Sequence, residues 1–305
     1  MQRQNIDYGE IEFLKNYKAD EYERPSATVD MLIFTVGERE TSYRELPTKK
    51  LKLLLIRRRD YPFKGKWAIP GGFININENL YDSAKRELEE ETNLKNIYME
   101  QLYTWGDLGR DPRTRVISTS YMALVPEDKM NFKAGDDAAE AGLFSVTLGE
   151  LDKKVYEENG IITSIETTYR LSLIEDKQGY GTDSVIKETK KILGTSAVTD
   201  YEILSNGMAF DHCKIIMYAL ERLRNKVEYT TIAFNLLGDT FTIGELKSLY
   251  ETILGKRLTS PNFRRKVMPM LEEVEQVPEK NRGHRPAKRY RLSQKAIYHP
   301  FKSED

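Results

Sequence analysis

"GGFININENLYDSAKRELEEETNL", residues 71 to 94, decides how the rest of the chain is read. Leu80, Ala84 and Leu88 recur every fourth residue, the buried stripe of an amphipathic helix that starts near Glu78 or Asn79, after the turn-forming Asn-Ile-Asn. Six carboxylates crowd the same stretch. At 3.6 residues per turn, Glu87, Glu90 and Glu91 stand at i, i+3 and i+4, so three of them share one face. Like charges at those spacings repel by roughly a few tenths of a kcal/mol per pair, and the pattern asks for compensation. Arg86, four residues before Glu90, neutralises part of it. A hard divalent cation held by oxygen ligands neutralises more, and Mg2+ or Mn2+ suits an all-carboxylate set better than zinc. The alternative is a plain solvated helix face.

Working outward, "SATVDMLIFTV" (26–36) and "KLKLLLIRR" (50–58) are short, aliphatic and β-branched, and read as strands. Beyond the helix, "VISTSYMALV" (116–125) and "AGLFSV" (141–146) read the same way. The order β, β, loop, helix, β, β is an α+β pattern without the regular alternation of a doubly wound sheet. Residues 151–205 are less legible. "GIITSIETTYRLSLIE" has strand character, while "DSVIKETKKILG" suggests a short helix capped by Asp183 and stopped by Gly194. From Asp211 to about Lys226, Ile216, Ala219, Leu220 and Leu223 form the stripe of a clear helix that closes the first domain.

A chain of 305 residues suits two domains of ~100–200 residues each. Hydrophobic and charged fractions of 39% and 31% are ordinary for a globular chain, and no apolar run approaches the ~18 residues of a membrane span. The charged start, "MQRQNIDYGEIEFLKNY", lacks the apolar core of a secretory signal, so a cytoplasmic location is expected. The single cysteine, Cys213, cannot form an internal disulfide and reads as a small buried apolar residue. The net charge of -1 conceals a split: residues 256–295 hold twelve Lys or Arg against four Glu, so this segment carries +8 and the rest -9. Such asymmetry points to a polyanionic partner for the basic segment.

The quoted stretch, preceded by "WAIPG", resembles the box of the Nudix hydrolase superfamily: Gly72, five residues, Glu78, seven residues, then "RELEEETNL". One position departs from it. Asn93 stands where the family has glycine, and asparagine is the next best residue for the left-handed helix cap needed there. The resemblance implies an α/β/α sandwich with a mixed sheet, and Mg2+- or Mn2+-dependent hydrolysis of a diphosphate linked to another moiety. It further implies Glu87, Glu90 and Glu91 as metal ligands with the Gly71 carbonyl, Arg86 as the residue orienting them, and Glu78 in a structural or water-mediated role. A proton acceptor from outside the box is also expected, with Glu140 the candidate and Asp136 and Asp137 behind it; a solvated acidic loop is the other reading of these three. "GRDPRTRVIS" (109–118) resembles the segment found in Nudix proteins that handle ADP-ribose. Arg110, Arg113 and Arg115 there, and Arg57, Arg58 and Arg59 earlier, offer forked donors to phosphate or ribose oxygens. Trp67 and Phe63 can stack on a base, with core packing the better role for Trp67.

Towards the C-terminus, "FTIGELKSLYETILGKRLTSPNFRRKVMPMLEE" followed by "GHRPAKRYRLS" resembles the winged helix-turn-helix of Nudix-related transcriptional regulators. The expected division is a Nudix domain over 1–228 and a winged helix over 229–305. Ser260 or Asn262 would cap a recognition helix with Arg264, Arg265 and Lys266 near its start, Pro269 would end or kink that helix, and Arg285, Lys288 and Arg289 would touch phosphates from a wing. Double-stranded DNA is the implied partner, and a homodimer is expected because such modules commonly read paired half-sites. Two functions follow: a hydrolase of ADP-ribose or a related nucleoside diphosphate compound with a DNA-binding tail, or a catalytically silent regulator that senses ADP-ribose or a sugar metabolite. Retention of Arg86, Glu87, Glu90 and Glu91 favours the first.

Overall fold

Alternation along one central strand sets the layers. The computed structural model describes residues 8–38, 49–130, 132, 138–176, 178–275 and 287–298. In β1 (Ser26–Glu38), Val29, Met31 and Ile33 point to one side of the sheet and Leu32, Phe34 and Val36 to the other, all essentially inaccessible. β1 runs antiparallel to β2 (Lys49–Arg58) and parallel to β6 (Val116–Leu124), so the sheet is mixed. The fold is α+β, as expected.

The first side is covered by α2 (Leu80–Thr92), whose Ala84 and Leu88 pack with Val29, Met31 and Ile33. Asn93 closes that helix at φ 56°, its N–H donating to Glu89 O at 2.8 Å, so the left-handed cap forms without glycine. Two short strands, β3 (Trp67–Ala68) and β4 (Gly71–Phe73), lead into it and pair with β2 and β1. The opposite side carries α3 (His212–Tyr229). An edge strand, β5 (Met99–Trp105), went unread in the sequence because a register shift at Leu102 breaks its alternation and leaves only Leu102 and Trp105 buried.

The segment 151–205 forms no helix. It extends the sheet as β7 (Ala138–Glu158), β8 (Ile161–Glu175), β9 (Gly181–Leu193) and β10 (Ser196–Ser205), in the order β10-β9-β8-β7-β2-β1-β6-β5. "DSVIKETKKILG" is therefore strand, correcting the helix expected there. Ser184, Ile186 and Glu188 alternate inward with period two, and pairing on both sides outweighs the local helix signal. Gly194, expected to stop a helix, takes φ 63° in the tight β9–β10 turn.

Past α3 the chain forms α4 (Ile243–Leu254), α5 (Ser260–Val267), and a two-stranded ribbon of β11 (Leu271–Val274) and β12 (Arg289–Leu292). Thr242 and Glu245 form a reciprocal capping box at the start of α4. The N-cap of α5 is Thr259, replacing the expected Ser260 or Asn262, with Pro261 in the first turn. Around Pro269 the helix gives way to a single 3-10 turn, as the ring requires. One hydrophobic core runs from Leu32 and Phe34 through Leu220 and Leu223 to Leu246, Leu249 and Phe263. Two short helices, α1 (Tyr8–Asn16) and α6 (Gln294–Tyr298), complete the described chain. No helix among the described residues is long and apolar enough to cross a membrane.

Candidate functional site

Arg86 organises the acidic face of α2. It grips both oxygens of Glu78 through Nε and Nη2 at 2.9 and 3.1 Å, donates Nη1 to Glu87 Oε1 at 2.7 Å and to Glu90 Oε2 at 3.3 Å, and reaches the Phe73 carbonyl and Ser83 Oγ. These bonds, led by the one to Glu78, raise the guanidinium pKa further and hold that of Glu78 below the ordinary glutamate value. Glu87 and Glu91 are 7% exposed, whereas the Glu90 side chain is 57% exposed. Burial pushes the Glu87 carboxyl upward against the pull of Arg86. A Cβ on Gly72 would stand 2.2 Å from Glu87 Oε1, so only glycine lets this carboxylate close on β4. Buried carboxylate oxygens beside the backbone of a Gly-Gly strand make a hard donor set, which fits Mg2+ or Mn2+. Among the described residues, no three acidic, histidine or cysteine side chains already converge as a cage.

A second polar cluster lies on the opposite side of the sheet. Asp30 shares the register of Gly71 but faces α3. Its Oδ2 accepts from Ser118 Oγ at 2.5 Å and from Arg110 Nη2 at 3.5 Å, and its Oδ1 lies 3.9 Å from His212 Nε2. Arg110 also makes a bidentate pair with Asp211. Burial opposes its charge, yet the bonds it donates to Asp211 leave its pKa raised. His212 accepts the Ile69 N–H on Nδ1 at 3.0 Å, and complete burial lowers its pKa. Asp211 and His212 form the first turn of α3. Sequence reasoning passed over Asp30, Asp211 and His212, although Asp30 at an inward position of an apolar strand was the visible signal.

The other arginines divide by partner. Arg110, expected to meet a ligand, is enclosed and committed to Asp211 and Asp30, so its donors face inward. Arg113 pairs bidentately with Asp111 and lies over the rings of Phe73 and Phe210 at 5.5 and 5.8 Å. Burial works against ionised Asp111, but Arg113 keeps its pKa below the ordinary value. Arg115 is exposed and bonds the Asp107 carbonyl. Arg57 bonds the Gly65 carbonyl and lies 3.7 Å from Glu140, whose other oxygen accepts from Tyr180 Oη at 2.7 Å. Arg58 stacks 5.0 Å from the Phe210 ring. Trp67 is buried against Phe144 and Tyr180, in the core role. Phe63 is half-buried against Phe210 and the cluster of Ile56, Ala68 and Ala209. Asp136 and Asp137 lie outside the described residues.

In the C-terminal module Arg264 and Arg265 are exposed. Because α5 ends early, they and Lys266 occupy its last turn, a correction to the expected position near its start; there they complement the helix dipole. Lys266 donates to the Glu228 carbonyl at the end of α3. Lys288 is exposed and paired with Glu273. Arg289 turns inward to the hydroxyl and carbonyl of Thr240, which removes it from the expected phosphate-facing surface. Arg285 lies outside the described residues.

A glutamate-bearing helix behind a Gly-Gly strand on a mixed sheet, followed by two helices and a β-ribbon, defines a Nudix domain joined to a winged helix. Family models agree: the NUDIX domain matches residues 46–164, and the NrtR DNA-binding winged helix domain matches residues 233–292. The ADPR responsive transcriptional repressor NtrR of Acinetobacter baylyi is 31% identical over 92% of this chain and 87% of its own length. The chain belongs to this family of Nudix proteins with a C-terminal NrtR-type winged helix domain. The ADP-ribose pyrophosphatase of Methanocaldococcus jannaschii is 36% identical over 49% of this chain and 76% of its own length. Among solved structures, a MutT/nudix family protein from Enterococcus faecalis superposes with a TM-score of 0.65 at 27% identity, covering 95% of each chain. NrtR of Shewanella oneidensis, complexed with a 27mer DNA, gives 0.54 at 25% identity, covering 89% of this chain and 95% of that one.

Proposed function

We propose that this protein is a divalent-metal-dependent hydrolase of ADP-ribose, or a related nucleoside diphosphate compound, whose winged helix binds double-stranded DNA in a manner set by ligand occupancy. The carrying observation is α3. Its first turn, Asp211 and His212, belongs to the buried cluster beside β4, while Leu220, Leu223 and Val227 further along share one core with α4 and α5. A ligand that favours one arrangement of the first turn thereby biases the other end. The names of the Acinetobacter repressor and the Methanocaldococcus pyrophosphatase support ADP-ribose as that ligand.

In this reading Glu87, Glu90 and Glu91, with the Gly71 carbonyl, hold Mg2+ or Mn2+. When bound, the cation neutralises the diphosphate and lowers the pKa of an attacking water. Arg86 keeps Glu87 and Glu90 oriented. Glu140 takes the proton, held by Tyr180 and Arg57. Arg113 and Arg115 meet phosphate or ribose oxygens. Arg264, Arg265 and Lys288 face DNA phosphates, and a homodimer presents two such modules to paired half-sites.

A second reading, a sensor that binds but does not cleave, is favoured by the full-length relative being a repressor. One experiment separates them: a panel of nucleoside diphosphate compounds with Mg2+ or Mn2+, on wild type and Glu91→Gln, beside binding of a short double-stranded DNA fragment. Cleavage of ADP-ribose that disappears in the variant supports hydrolysis. DNA release by ADP-ribose without any cleavage selects the sensor, and neither cleavage nor release defeats both.

A further inference from the structure

Where α4 rests against the start of β2, the joint between sheet and winged helix leaves a cleft of about 270 Å³. Lys49 and Lys50 of β2, Arg224 of α3, and Glu251 and Thr252 of α4 surround it, with Leu148 and Leu220 as its apolar wall. Thr252 Oγ1, bonded to the Ser248 carbonyl at 2.7 Å, also approaches the Lys49 carbonyl at 3.3 Å, so strand and helix meet at its rim. The cleft lies on the side of the sheet opposite α2, about 20 Å from Asp211 along the axis of α3 at ~1.5 Å per residue.

Arg224 is the charge this joint leaves unanswered. It is partly buried, and its Nε donates to the Ile253 carbonyl near the end of α4 at 3.2 Å. A helix-capping arginine makes such a bond, but it uses one of five donors. No carboxylate pairs with the guanidinium among the described residues. Burial pulls its pKa down, and only the Tyr169 phenol acts against that. Glu251 borders the same cleft with its oxygens already engaged: Oε1 accepts the Leu258 N–H at 2.7 Å and lies 3.1 Å from Lys247, and Oε2 lies 3.9 Å from Arg257. Lys50 leans to within 3.7 Å of Asp176, whereas Lys49 makes no ion pair among the described residues. Two cations, on α3 and β2, thus share this space without a counterion.

We infer that this cleft is a binding site for a phosphate group, free or carried on a small ester, held by the guanidinium of Arg224 and the ammonium of Lys49. A forked guanidinium presents paired N–H groups that match two phosphate oxygens, and a lysine adds a point charge. The volume falls just below the ~300–1,000 Å³ of drug-sized ligand sites, so it admits a phosphate with a few further atoms and excludes a dinucleotide. An anion here neutralises β2 and α3 together beside the end of α4. Occupancy therefore braces the winged helix against the sheet by a route separate from the first turn of α3, and the site does not depend on the hydrolysis proposed above.

The test is thermal unfolding of the full chain in rising inorganic phosphate at constant ionic strength, and separately in ribose 5-phosphate, for wild type, Arg224→Met and Lys49→Gln. Binding to the folded state raises the melting temperature by mass action, while the general stabilising effect of phosphate is common to all three proteins. Losing one charge-assisted bond weakens binding about tenfold, so the rise in wild type is expected to be at least twice that in either variant. A response to inorganic phosphate alone identifies the free anion, and a response to ribose 5-phosphate extends the site to esters. An arginine that only caps α4 would lower the starting melting temperature of Arg224→Met and leave the phosphate-dependent rise intact. Equal rises in the three proteins, or none in wild type with either compound, overturn the site. If Arg224→Met fails to fold, Lys49→Gln at the start of β2 decides alone.

Discussion

Arg110 Nε and Nη2 close on the two carboxylate oxygens of Asp211 at 3.0 and 2.8 Å, with both side chains about nine-tenths enclosed. A residue from the loop before β6 is thereby fastened to the first turn of α3, roughly a hundred positions further along the chain.

Breaking this pair leaves an uncompensated buried charge. Arg110→Met is expected to lower the unfolding free energy by about 3 kcal/mol, and Asp211→Asn by somewhat less because Arg110 keeps Asp30. Urea denaturation followed by circular dichroism measures both. Losses under about 1 kcal/mol would mean the cluster is more hydrated than the geometry indicates.

His212 supplies a pH dependence. Its folded pKa lies below the ordinary 6.5, so the unfolded chain takes up the proton more readily. Stability from this group is therefore full above about 6.5 and falls as the pH drops through that value towards the lower folded pKa. The groups facing it are Asp30, Asp211, Arg110 and Arg58. His212→Asn keeps an acceptor for the Ile69 N–H and cannot titrate, so its melting temperature should fall less than that of wild type between pH 7 and 5. Parallel curves for the two proteins would contradict this.

Asn93 holds a position that glycine fills with less strain. Asn93→Gly should raise stability by about 0.5 kcal/mol, and Asn93→Val should lower it by about 1 kcal/mol or more, read from thermal unfolding. The opposite order would show that the asparagine side chain has a bonding role at the cap.

Removing the Thr242 hydroxyl opens the capping box of α4. Thr242→Ala is expected to cost about 1 kcal/mol in chemical denaturation. Any ADP-ribose turnover should be untouched, since Glu87, Glu90 and Glu91 lie on α2.

Charge reversal at Arg264 and Arg265 tests the DNA face. The double glutamate variant should lose binding to a short operator fragment and keep any ADP-ribose turnover. Single substitutions should each flatten the dependence of log affinity on log salt by about 1. Simultaneous loss of turnover would mean the two faces are not separable.

Much of this was visible in the sequence because local chemistry and tertiary role agree there. The spacing of Glu87, Glu90 and Glu91, the stripe Leu80, Ala84, Leu88, and the left-handed turn at Asn93 are all written within one helix. The extension of the sheet was not. In "DSVIKETKKILG" the lysines and glutamates favour a helix, and only pairing with β8 and β10, formed far along the chain, turns it into strand. Arg110 and Arg289 turn away from the surfaces expected of them for a related reason: neither the loop holding Arg110 nor the strand that Arg289 opens shows any sign in the sequence of the Asp211 or Thr240 that engages it.

The continuous apolar interior that joins the sheet to α4 and α5 through Leu220, Leu223 and Phe263 carries a last implication. A module seated this way is no detachable cassette. Cutting the chain just after α3 would strip a buried surface bare on both fragments, and heating the intact protein should melt sheet and wing in one calorimetric step.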